Sequence, residues 1–244
     1  MANGRDRAAA GIIAAGLAIG GLFVGSGFAR MRTSDRYVTV KGISERQVKA
    51  DLAIWPLHLV AADNDLSKAH AQLETSVARI KTFLASYQID SAQAELQDFS
   101  VTDAATNQYS SGERSGSRYV IRQTVVVRSL KPDLVRNASQ HVGELVSAGV
   151  VLSSGGEYGS GGPTFVFTGL NELKPKMIGE ATARARESAE QFARDSHSDL
   201  SGIKTASQGV FEILPRDQAQ GISEESQIMK TVRVVSTIEY ALKN

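Results

Sequence analysis

From Ala8 to Phe28 the chain runs about 21 residues without a charge, with Arg5 and Arg7 before the stretch and Arg30 and Arg32 after it. As a helix rising about 1.5 Å per residue, the stretch is roughly 30 Å long, the hydrocarbon thickness of a bilayer. A helix satisfies its own backbone groups, so the many glycines do not forbid a span. The stretch therefore reads best as a signal anchor occupying residues 1–32, with 33–244 as one soluble domain beyond the membrane. A cleaved signal peptide competes, since Gly27 and Ala29 are small residues at a plausible cleavage point. Against it, the run exceeds the about 7–15 residues of a signal-peptide core. A buried soluble helix also competes, and the absence of a polar face disfavours it. Arginines on both flanks leave the orientation to chain length: only a few residues precede the helix, which favours a cytoplasmic N-terminus.

Gly16/Gly20 and Gly21/Gly25 form two G-x-x-x-G pairs within this stretch. Such pairs let helix backbones approach closely in lipid. They are candidates for packing between copies of the helix, although glycine is also simply common in membrane helices.

The remaining 33–244 segment is long enough for a real core. A net charge of +1, with no long Lys/Arg run, gives no electrostatic case for nucleic acid. Cysteine is absent, which removes thiol catalysis, disulfides and thiolate metal sites together.

Strand-like runs follow from Tyr37 to Gly42 and from Val48 to Ala61, the second with Ala53, Trp55, Leu57 and Leu59 on one face. Pro56 cannot donate to a ladder and predicts an edge or a bulge. Asp65 can cap a helix carrying Leu66, Ala69, Leu73, Val77, Ile80 and Leu84. A weaker strand, 94–102, leads into a polar loop, 103–117. Tyr119, Ile121, Val125 and Val127 then alternate along another strand. Pro132 suits the first turn of a second helix with Leu134, Ala138, Val142 and Leu145 inside.

A third helix, 172–196, carries Ile178, Ala181, Ala185, Ala189 and Phe192 as its inward stripe, with Glu180–Arg184 and Glu190–Arg194 outside. Two closing strands fall near 205–214 and along Val232, Val234, Ile238, Tyr240 and Leu242. Strand pairs alternating with single helices predict an α+β fold, with antiparallel sheet and helices on one face.

Chemistry is scarce in this pattern. His58, His70, His141 and His197 form no metal-ligating pair, and no G-x-S-x-G elbow or P-loop occurs. Glu224 and Glu225 sit in a polar stretch and read as solvated charges. The glycine-rich segment with Gly155, Gly156, Tyr158, Gly161 and Gly162 does not lead directly into a helix, and reads as a partner-contact loop rather than a phosphate cradle. No catalytic residue, cofactor or metal is expected.

Tyr37-Val-Thr-Val-Lys-Gly42, the strand opening at Asp51-Leu-Ala, and Thr168-Gly-Leu-Asn-Glu-Leu-Lys-Pro175 before an alanine-rich helix resemble the SIMPL-domain family of bacterial envelope proteins, the YggE-like group. Leu200-Ser-Gly-Ile203 and Gln208-Gly-Val-Phe211 resemble that family's exit into its penultimate strand. Two departures stand out: Ala50 where members commonly carry proline, and His197 where they often carry glycine. The resemblance covers about 37–242. It implies a SIMPL-type α+β fold, export to the periplasm, ring- or cage-like self-assembly in some members, and a loose link to oxidative-stress tolerance.

The expectation is a non-enzymatic, single-pass inner-membrane protein with its domain in the periplasm. Its partners would be membrane lipid and further copies of itself, a homo-oligomer, with any other protein partner unknown. The alternative is an envelope binding module that captures a ligand or protein through the glycine-rich segment and the 103–117 loop.

Overall fold

Runs that alternate apolar and polar residues become strands of antiparallel sheets, and runs with three- and four-residue apolar steps become the helices that cover them. The computed structural model describes residues 14–23, 25, 36–106, 116–153 and 161–243. The first element is a helix, α1, of which residues 14–23 and 25 are described. Then come β1 (Tyr37–Lys49), β2 (Leu52–Asp63), α2 (Leu66–Ser86), β3 (Ala94–Asp103) and β4 (Tyr119–Ser129). They are followed by α3 (Pro132–Gln140), α4 (Gly143–Ser147), β5 (Leu152–Ser153) and β6 (Thr164–Val166). The chain ends with α5 (Leu170–Asp195), β7 (Asp199–Gln208), β8 (Glu212–Pro215) and β9 (Met229–Lys243). The fold is mixed α+β. It divides into two compact units, one of Glu45–Lys174 with Glu212–Arg233, the other of Met1–Ser44, Pro175–Phe211 and Val234–Asn244.

In the Glu45–Lys174 unit the sheet order is β3-β4-β2-β5, with β6 also on β2. Ala53, Trp55, Leu57 and Leu59 are buried, as their alternation predicts. They share one core with Ala69, Leu73, Ile80 and Leu84 of α2, Val135 and Ala138 of α3, and Leu145 of α4. The Asp65 carboxylate starts α2 by accepting from the Ser67 and Lys68 backbone N–H groups at 2.8 and 3.4 Å. Pro132 takes the first turn of α3. The single helix expected there is two: the His141 N–H donates to the Ala138 carbonyl at 3.0 Å, which tightens the turn and ends α3.

Pro56 makes neither a bulge nor an edge on the β4 side, because the β2–β4 register is unbroken from Ala53↔Ser129 to Asp63↔Tyr119. On the opposite side of β2, β6 pairs with Leu52 to Ile54 and β5 with His58 and Leu59. The Val60 N–H points to that side, donating to Val151 at 3.2 Å. Backbone direction alternates by two, so the Pro56 nitrogen faces the gap between β6 and β5, where no donor is needed.

In the other unit, α5 lies on β1 and β9. Its buried residues are Met177, Ala181, Ala185, Ala189 and Ala193, not the expected Ile178 and Phe192 at the ends. Phe192 is 58% exposed. A strict four-residue row drifts round the helix by about 40° per step, so the contact follows an inclined ridge rather than one azimuth. Val40, Ile238 and Tyr240 meet this row. The strand expected at 205–214 is two: β7 in this unit and β8 in the unit of Glu45–Lys174 with Glu212–Arg233, each antiparallel to its own part of β9.

Candidate interaction surface

Strand β3 is the edge of its sheet, and its register decides which way its side chains point. Leu96 pairs with Val125 and Val101 with Ile121, which places them on the face that α2 covers further in. The helix does not reach the edge. Leu96, Phe99 and Val101 are 48%, 55% and 45% exposed. Between α2 and β3 lies an open groove of about 430 Å³, with Leu73, Val77, Leu96 and Phe99 as apolar walls and His70, Glu74, Lys81 and Gln123 as polar ones. An apolar surface of this kind, left open on a folded domain, is a candidate interaction surface.

The strand's own backbone is a poorer template. Its register shifts between Gln97 and Ser100, with Asp98 at φ +53°, a left-handed conformation that aspartate tolerates. A bulge and the acids Glu95, Asp98 and Asp103 blunt strand-to-strand addition.

At the end of β3 a small polar clamp holds the base of the 104–117 segment. The Arg118 guanidinium donates to both Asp103 oxygens at 3.3 Å. The Ala105 N–H donates to the same carboxylate at 2.9 Å, and the Ala104 N–H to the Arg118 carbonyl at 2.8 Å. The Arg118 hydrogen bond, followed by the Ala105 bond, holds the Asp103 carboxyl below its ordinary pKa, and the same pairing raises that of Arg118.

The motif residues prove architectural. Thr168 donates through its backbone N–H and its hydroxyl to the Asp51 carboxylate, at 2.9 and 3.0 Å, joining two segments 117 residues apart just before α5. The Ser44 hydroxyl donates to Glu180 at 2.9 Å, and Arg184 to the Ile43 carbonyl at 2.7 Å. The Ala50 N–H donates to the Ile228 carbonyl at 2.8 Å, a bond that a proline at this position would lack.

His197 follows α5 at φ +51°, the left-handed position that glycine takes at helix C-termini. His58 Nδ1 lies 3.0 Å from the Thr124 hydroxyl, His70 beside Glu74 at 3.9 Å, and His141 against the Tyr87 ring at 5.5 Å. Among the described residues, no three His, Asp or Glu side chains gather into a metal site.

Glu224 is not a solvated charge. It pairs with Lys230, whose side chain is 0% exposed and whose Nζ also donates to the Glu224 carbonyl at 2.7 Å. Lys230 sits two residues before Val232 on the buried face of β9, so extending that alternation one step back would have found it. The groove was foreshadowed by three large apolar residues in an otherwise polar strand.

Gly16, Gly20, Gly21 and Gly25 are helical and exposed, and a side chain at any of them would meet nothing within 4 Å. Among the described residues no helix is long and apolar enough to cross a membrane. The rest of the expected span, residues 8–13, 24 and 26–28, lies outside the described residues, as do Gly155, Gly156 and Tyr158. Gly161 and Gly162 precede β6, also with nothing within 4 Å of an added Cβ.

The family model SIMPL, described as a protein family of unknown function (DUF541), matches residues 38–239. The chain belongs to this family. No curated protein matches it.

Proposed function

Starting from SIMPL membership, we propose that the protein is a non-enzymatic homo-oligomer held on the periplasmic face of the inner membrane by one N-terminal helix per subunit. The observation that carries the reading is the groove between α2 and β3, with Leu96 and Phe99 about half exposed in its wall. Burying the rest of each such side chain is worth about 1 kcal/mol. Copies tethered to one bilayer need little more, because the tether raises their effective concentration. The uncharged stretch from Ala8 to Phe28 supplies that tether. A ring- or cage-like assembly with a role in envelope or oxidative-stress tolerance fits the family resemblance.

Mass photometry of the detergent-solubilised full chain tests the reading. The expected result is a discrete oligomer that Phe99→Asp and Leu96→Asp reduce in size while far-UV circular dichroism stays unchanged. A strict monomer, or an oligomer indifferent to both substitutions, removes the groove as the assembly surface.

A further inference from the structure

The lining of the groove holds one acidic side chain, Glu74, and one lysine, Lys81, both on α2. Positions 74 and 81 are about two helical turns apart, so the pair shares one flank of the helix. The Glu74 side chain is 71% exposed and its neighbour His70 lies 3.9 Å away, a contact of little energy in water. Among the described residues Lys81 pairs with no carboxylate. The other charges nearby point elsewhere. Arg79 lines a separate hollow with Val60 and Val151, and Lys68 stands half a turn round the helix from Val77. Glu95 is opposite Val126, on the far face of the sheet.

Along this flank stand His70, Glu74, Val77, Ala78, Lys81 and Ala85, at steps of four, three, one, three and four residues. The spacing reads the same from either end. Reversal about the midpoint of Val77 and Ala78 exchanges Glu74 with Lys81 and His70 with Ala85. A second α2 laid antiparallel along the first therefore sets each Lys81 against the other copy's Glu74, once on either side of a small apolar centre. A parallel pairing in register would set like charges together instead. Val77 is half-buried and Ala78 exposed, so the centre is open to close approach.

We infer that the groove is filled by α2 of a second copy, paired antiparallel about a two-fold axis through the Val77–Ala78 midpoint. The inference rests on the reading of the groove as the assembly surface and names what occupies it. A helix lying there also meets Leu96 and Phe99, whose exposed parts supply the apolar share of the contact. The two charge pairs fix its direction and register.

Charge reversal in the detergent-solubilised full chain tests the pairing. Glu74→Lys or Lys81→Glu alone opposes like charges at both contacts, and should weaken the association read by mass photometry about tenfold. The double variant Glu74→Lys, Lys81→Glu restores opposite charges across the axis and should recover the parent's association, which misfolding of either single variant would not allow. The chain has no cysteine, so Ala78→Cys places one thiol per copy beside the axis. A bismaleimide linker of about 8 Å, the separation of packed helix axes, should join two copies there. Lys68→Cys, about 28 Å along the helix from its symmetry mate, should stay unjoined.

Single variants that associate like the parent, a double variant no better than the singles, or Ala78→Cys left unjoined overturns the antiparallel pairing. If Phe99→Asp still dissociates the oligomer in that event, the groove reading stands without it. A strict monomer in the unaltered chain removes the groove reading and this inference together.

Discussion

A side chain on Gly42 would place its Cβ 1.8 Å from the Ala181 carbonyl oxygen and 2.5 Å from the Ala185 nitrogen. Both obstacles are helix backbone, so nothing can rotate away. The closeness has two causes: the missing side chain on β1 and the alanine row on α5. Gly42→Ala should therefore force strand and helix apart and cost about 3 kcal/mol, the upper end for overpacking. In a chain of this size that is a fall of about 6–12 °C in Tm. Gly179→Ala, where an added Cβ meets nothing within 4 Å, should instead stabilise the same helix by about 0.5–1 kcal/mol. Calorimetry on the pair decides the matter, and equal effects would show that the close approach is not what holds β1 in place.

Lys230 and Glu224 make a second pair of opposite predictions. The lysine is fully buried and its partner's side chain is 30% exposed. Glu224→Gln leaves the buried ammonium with neutral acceptors and no counter-charge, and should cost roughly 2–4 kcal/mol, less than a fully buried pair because the site is partly wet. Lys230→Met removes the charge and keeps the volume, so it should cost less than Glu224→Gln despite sitting deeper. Urea unfolding gives both values; the reverse order would mean that the ion pair itself is a net source of stability.

Much of this architecture was legible because burial here follows simple periods. Two-residue alternation located the inner faces of β2 and β9, and Asp65 and Pro132 marked helix starts with local chemistry that needs no tertiary context. The misses have specific causes. Ile178 and Phe192 were chosen to hold one azimuth on α5, whereas the helix meets its neighbours along a four-residue ridge whose tilt only the tertiary crossing sets. Pro56 was assigned to an edge or a bulge because a proline cannot donate, yet two short strands leave it a gap at the centre of a sheet. Lys230 was passed over because a lysine on an inward position needs a partner, and Glu224 becomes that partner only once the chain turns back. The groove was invisible as a groove, since β3's apolar residues become a site only when α2 stops short of them.

The Asp103–Arg118 clamp gives a pH dependence of known sign. Its carboxyl is held below the ordinary 3.8 by the guanidinium first and the Ala105 N–H second. A depressed folded-state pKa means stability that is present above the unfolded value and lost as the pH falls through the folded one. The clamp should therefore be intact through the neutral range and release only in acid. The Ala105 amide resonance should titrate with a midpoint below 3.8, and Arg118→Gln should raise that midpoint. An Ala105 midpoint at or above 3.8 in the unaltered protein would contradict the clamp.

His197 occupies a position built for glycine. At φ +51° its Cβ crowds its own backbone, a cost of about 1 kcal/mol that a glycine does not bear. The geometry is enforced from both sides: the His197 N–H donates to the Arg194 carbonyl at 3.2 Å, and the Ser198 N–H to the Ala193 carbonyl at 2.9 Å, closing the end of α5. His197→Gly should thus raise stability by about 0.5–1 kcal/mol without altering the fold, after allowance for the extra freedom glycine gives the unfolded chain. His197→Val, branched at Cβ and worse suited to positive φ, should lower it. Thermal unfolding of the three proteins at neutral pH should rank them glycine, histidine, valine. A valine variant as stable as the parent would mean that the turn relaxes out of the left-handed region, and that the histidine there carries no strain.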